Sequence, residues 1–100
     1  MGIERKMNGE QKELARLFVH KLPLLRASLR ITQADVAKAI GVSRMTYVSI
    51  ETGKRLTAWR NFITLFLFFS ANEESLNIIR AMGDFEAKVQ KYIQMPKAET

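Results

Sequence analysis

Ile31-Thr32-Gln33-Ala34-Asp35-Val36-Ala37-Lys38-Ala39-Ile40-Gly41-Val42-Ser43-Arg44-Met45-Thr46-Tyr47-Val48-Ser49-Ile50-Glu51-Thr52-Gly53 decides the fold, because it encodes two short helices joined by a tight turn. Thr32 is placed to cap the first helix with Asp35 at N3 in an imperfect capping box, and Val36, Ala37 and Ile40 form its inward face. Gly41 supplies the left-handed or close-packed turn position. Ser43 caps the second helix, whose Tyr47 and Ile50 follow at i+4 and i+7 and bury one side. Small Ala37 lets the two helices approach, and Val42 and Ile50 plug the angle between them. Tyr47 shares the spacing of Ile50 and reads as core.

On the N-terminal side, residues 1–9 read as frayed. Leu14, Leu17, Phe18 and Leu22 then recur at near-helical spacing, which predicts a helix over about 10–20. Pro23 fits the first turn of a second helix running through Leu24, Leu25 and Leu29, where a missing N–H costs nothing. On the C-terminal side, Thr57 is the expected cap of a helix carrying Trp59, Phe62, Ile63, Phe66, Leu67 and Phe69, apolar over so much of its circumference that it must be covered on several sides. Ser70-Ala71-Asn72 breaks it. Two more helical stretches follow, Glu73 to Met82 and Asp84 to Met95, separated by Gly83, and residues 96–100 form a tail. The expected fold class is all-α, a bundle of five to six helices in one domain over 10–95, with a helix-turn-helix core at 22–69 and further helices at 73–95.

Composition narrows the function. One hundred residues leave room for one core, and with no cysteine and a single histidine, His20, neither a disulfide nor a metal site is expected. The carboxylates Glu10, Glu13, Asp35, Glu51, Glu73, Glu74, Asp84 and Glu86 show no paired catalytic spacing, and no glycine loop cradles phosphate, so neither an enzyme nor a cofactor is expected. The first ten residues lack the apolar run of a secretory signal, and the apolar part of 57–70 is too short for a bilayer, so the expected location is cytoplasmic, with no membrane. A net charge of +6 favours a polyanionic partner.

A helix-turn-helix needs a first helix that buries one stripe, a sharp bend, and a second helix free to enter the major groove. Residues 32–51 supply these. From about Leu22 to Leu67 the chain resembles the Cro and phage-repressor, or XRE, family. The resemblance is carried by Leu25-Arg26, Thr32-Gln33, Ala37, Gly41-Val42-Ser43, Thr46, Ile50-Glu51, Gly53 and Arg55. It implies a regulator that reads double-stranded DNA. Arg44, Met45 and Ser49 would face base edges; Gln33, Ser43, Thr46, Thr52, Lys54 and Arg55 would touch the sugar-phosphate backbone; Arg26 and Glu51 would form a structural ion pair. Arginine can fork onto guanine O6 and N7, methionine can meet a thymine methyl, and serine discriminates poorly.

Two departures from the family pattern bear on the loops. Arg30 stands where the family often has glycine at the end of the first helix, and Leu56-Thr57-Ala58 replaces a common proline before the fourth. The apolar surplus of Phe62, Leu65, Phe66, Leu67, Phe68 and Phe69 suggests a homodimer, which would present two recognition helices to the half-sites of a palindromic operator, as in a dimeric repressor. The alternative is an antitoxin-like or accessory module whose 73–95 helices bind a protein partner. The two differ in whether Leu76, Ile79, Phe85, Val89 and Tyr92 turn inward.

Overall fold

Leu14, Ala15, Phe18, Leu22 and Leu25 lie on one stripe, and in the computed structural model that stripe belongs to a single helix, α1 (Gly9–Leu29). The structure describes residues 6–54 and 56–94. Expectations for residues 1–5, for Arg55, for Met95 at the end of the last helical stretch and for the 96–100 tail lie outside the described residues. Asn8, expected within a frayed segment, is the N-cap of α1: its side chain accepts from the Gln11 N–H at 2.8 Å while the Gln11 side chain accepts from the Asn8 N–H at 2.9 Å.

The expected break before Pro23 is absent, and the proline sits exposed inside α1. A mid-helix proline removes one hydrogen bond and crowds the carbonyl four residues back, at a cost of about 3 kcal/mol. Phe18 and Leu22 on one side of it and Leu25 on the other are all fully buried, so packing along the shared stripe outweighs that local preference.

Five helices follow: α2 (Gln33–Ile40), α3 (Arg44–Glu51), α4 (Trp59–Ser70), α5 (Glu73–Arg80) and α6 (Phe85–Ile93), with no strand among the described residues. At α2 the capping box is complete, Thr32 and Asp35 each accepting from the other's backbone N–H at 3.0 and 2.8 Å. Gly41 closes α2 in the left-handed conformation, at φ 79°.

Thr57 does not cap α4. Its side chain is packed inward, 4% exposed, with the hydroxyl donating to the Ala58 carbonyl, and Ala58 occupies the cap position with no side-chain bond. A threonine turned into the core has no reach to the free N–H groups at the helix start. Trp59 opens the helix instead, its ring against Phe62 and edge-on to Tyr92.

The core runs through all six helices. Phe18 is its hub, with ring centroids 5.4 Å from Phe62, 6.1 Å from Phe66, 6.4 Å from Phe69 and 5.6 Å from Phe85. Phe62, Leu65, Phe66 and Phe69 are thus sheltered within one chain, with Phe68 half-buried and Leu67 exposed. The apolar surplus expected of α4 is thereby reduced to Leu67 and part of Phe68, because α1, α5 and α6 close over the rest. No single helix among the described residues is long and apolar enough to cross a membrane.

Candidate nucleic-acid interface

Eight residues make α3 too short to hold its own orientation, so neighbouring contacts set it. The Ser43 hydroxyl accepts from the Thr46 N–H at 3.0 Å and caps the helix. Tyr47 and Ile50 are buried against the core, and Val42 packs beside them. Met45, Ser49 and Thr52 follow one another at i+4 and i+7 on the opposite side.

The last residue of α3 fixes the helix's roll. Arg26 on α1 forks onto Glu51, Nε to Oε1 and Nη2 to Oε2, both at 2.8 Å. The Tyr47 hydroxyl donates to Oε1 at 2.7 Å and the Gln33 amide to Oε2 at 3.1 Å. The Glu51 side chain is 7% exposed and that of Arg26 21%. Burial raises the Glu51 pKa, but the hydrogen bonds from Arg26, Tyr47 and Gln33 outweigh it and hold the carboxyl below its usual range. Burial, reinforced by the adjacent carboxylate, pushes the Tyr47 phenol well above its ordinary value. One carboxylate therefore joins α1, α2 and α3. Sequence reasoning assigned Gln33 to phosphate and Tyr47 to the core. The second partner of each was missed, although Tyr47 and Glu51 at i, i+4 are a readable signal.

The outward side of α3 is a shallow depression lined by Ser43, Arg44, Met45, Thr46, Val48, Ser49, Thr52 and Lys54. Of the residues expected to meet DNA, this surface brings together Arg44, Met45 and Ser49 with Ser43, Thr46, Thr52 and Lys54. Gln33 is half-buried at the start of α2 and turned to Glu51. Met45 is 83% exposed, Arg44 and Lys54 are exposed, and Ser49 is half-buried. Among the described residues the lining holds two cations and no carboxylate, so it attracts anions.

The hydroxyls differ in what they have left to offer. Ser43 spends its proton on Thr46 Oγ1 at 2.9 Å, which leaves the Thr46 hydroxyl proton free to donate outward. Thr52 donates back to the Val48 carbonyl at 2.9 Å and keeps only acceptor capacity, which a phosphate oxygen does not use. The Thr52 backbone N–H is also taken, by the same carbonyl.

A family model described as helix-turn-helix matches residues 24–58, the segment from the second half of α1 to the start of α4. An uncharacterized HTH-type transcriptional regulator of Methanocaldococcus jannaschii is 37% identical over 59 residues, covering 59% of this chain and 89% of that protein. No solved structure matches the chain. With the two helices, the glycine-closed turn and the Arg26–Glu51 brace in place, the chain belongs to the XRE family of helix-turn-helix proteins.

Proposed function

We propose that this chain is a sequence-specific transcriptional repressor that lays α3 in the major groove of duplex DNA and acts as a homodimer on a palindromic operator. The observation that carries the reading is the two-sidedness of α3. Tyr47 and Ile50 are buried on one side, while Met45, flanked by exposed Arg44, is 83% exposed on the other. A large apolar side chain held in water at that level costs solubility unless it has a partner, and a thymine methyl is one that fits. Arg44 reads guanine through O6 and N7. Thr46 and Lys54 hold phosphate; Ser43 lies beside that contact through its hydrogen bond to Thr46, and Thr52 ends the helix just before Lys54.

The homodimer rests on an energy argument. A good bidentate base contact gives about 1–3 kcal/mol of discrimination, whereas specific sites are preferred by about 4–10 kcal/mol. Three groove-facing side chains, only one of them bidentate, fall short, and a twofold-related copy doubles their contribution. Leu24 and Leu67, 51% and 53% exposed, are apolar side chains available for the contact between copies. A small domain seated on an operator represses by occupying duplex that other proteins need. A protein-partner role for the C-terminal helices finds less support, since Ile79, Phe85 and Val89 are buried and Leu76 and Tyr92 half-buried, leaving no exposed apolar stripe among them.

Selection from a random duplex pool at two salt concentrations, with Arg44→Ala beside the parent, tests the reading. An enriched palindrome with half-sites about 34 Å apart, relaxed at one base by the variant, is expected. Binding equal across sequences, collapsing as salt rises, would leave only the electrostatic contribution and overturn it.

A further inference from the structure

A second depression opens on the far side of the 52–57 loop, where Arg16 and His20 of α1 face Thr52, Gly53 and Lys54. Thr52 and Lys54 also line the depression in front of α3, so the two surfaces are continuous across the loop. We infer that Arg16 and His20 form, with Lys54, a second phosphate grip that holds the duplex backbone beyond the base pairs that α3 reads.

Charge, availability and position agree on that occupant. Arg16, His20 and Lys54 are all exposed. Among the described residues lining this depression the one carboxylate is Glu51, whose two oxygens are already taken by Arg26, Tyr47 and Gln33. Arg16 meets Glu13 at 3.8 Å, with both side chains 62% exposed, a pairing loose enough to yield to a phosphate. Arg16 and His20 are one helical turn apart, so both project to the same side of α1. The helix is rigid through this segment because Ala15, Phe18 and Leu22 on its other side are buried. No base edge is needed to satisfy a guanidinium and an imidazole placed this way. A backbone phosphate suffices, and the contact carries no sequence information.

The inference rests on the duplex-binding reading and adds residues outside the helix-turn-helix itself. Its test is the affinity of Arg16→Ala, His20→Ala and the double variant for the selected operator and for a scrambled duplex, over a range of salt. Each duplex is made in a long form and in a form trimmed to the bases that α3 reads. Both side chains are exposed, and circular dichroism confirms that the variants fold. The double variant is expected to weaken binding to both long duplexes by the same factor and to lower the salt slope by about 0.9 for each phosphate it no longer neutralises. The trimmed duplexes should bind parent and variant alike. A parent that selects a palindrome while the double variant keeps its full affinity and salt slope would overturn the grip and leave the function intact. A parent that binds no duplex would overturn both.

Discussion

Around Phe18 the chain is held by rings packed from three helices, whereas around Glu51 it is held by three side chains hydrogen-bonded to one carboxylate. Phe18, Phe62, Phe66, Phe69 and Phe85 are at most 2% exposed and offer one another no polar contact. Burial of this kind is strong, non-directional and tolerant of small rotations. The Glu51 cluster is directional: a fork from Arg26 and donors from Tyr47 and Gln33 are satisfied only at one roll of α3 about its axis. On the proposed function, a helix that presents Arg44 and Met45 to a groove needs its angle fixed more than it needs added stability. The molecule places its ring cluster away from the outward side of α3 and its directional bonds directly behind that helix.

Removing the hub of the apolar half gives the largest effect. Phe18→Ala is expected to cost about 4 kcal/mol, the loss for a fully buried phenylalanine with little room to collapse, read as a lower urea midpoint at unchanged slope. Molecules that remain folded should read the same bases, because nothing in the Glu51 cluster has moved. A changed base preference in Phe18→Ala would break the separation between the two halves.

Cutting the polar half costs less stability and more function. Glu51→Ala strands Arg26 and the Tyr47 hydroxyl in a largely buried place, and about 3 kcal/mol is expected. Beyond that, specific binding should fall further than the folded fraction does, since α3 is free to roll. The same carboxyl gives a pH signature. Its folded pKa lies below the unfolded value of about 4.3, so folding releases the proton more readily, and the stabilisation is complete above that value and lost as pH falls through the folded pKa. Glu51→Gln should therefore flatten the fall of the urea midpoint between pH 5 and pH 3, roughly the window in which a depressed carboxylate titrates. An acid limb identical in parent and variant would show that the cluster is not what acid breaks.

What the sequence discloses follows the range of the interactions. The Thr32–Asp35 box, the Ser43 cap and the Gly41 turn are decided within three or four residues, and the helix-turn-helix is readable for that reason. Arg26 and Glu51 lie 25 residues apart, so only the family resemblance suggests their pairing. Gln33 on Glu51 follows from no local rule. Two of the misread boundaries have one cause: at Pro23 and at Thr57 the local preference is clear, and burial of neighbouring side chains overrides it. For α4 the sequence shows how many rings need cover, while the cover comes from Phe18 and Phe85, at distances no periodicity encodes. The set proposed to face the groove is legible as one side of a helix. The Arg16 and His20 surface is not, because it exists only where α1 passes the 52–57 loop.

The smallest effect lies at the joint between the halves. Arg30 ends α1 in the left-handed conformation, φ 57° and ψ 41°, and is the only non-glycine with positive φ among the described residues. Its N–H is bonded to the Ala27 carbonyl at 3.1 Å and that of Ile31 to the Arg26 carbonyl at 3.2 Å, so the turn that starts the path into α2 depends on this strained residue. An L-residue with a Cβ costs about 1–2 kcal/mol there, and glycine recovers that at the expense of a more flexible unfolded chain. Arg30→Gly should raise stability by about 0.5–1 kcal/mol, once the unfolded-state loss is subtracted. Gly41→Ala supplies the mirror experiment at the end of α2. Its φ is 79°, and a Cβ there would meet nothing within 4 Å, so its loss of about 1 kcal/mol reads the backbone cost free of crowding. If Arg30→Gly instead lowers the urea midpoint while Gly41→Ala behaves as stated, the exposed Arg30 side chain contributes more than its backbone strain costs. The joint would then be tuned by charge, as the Glu51 side is, and not by conformation.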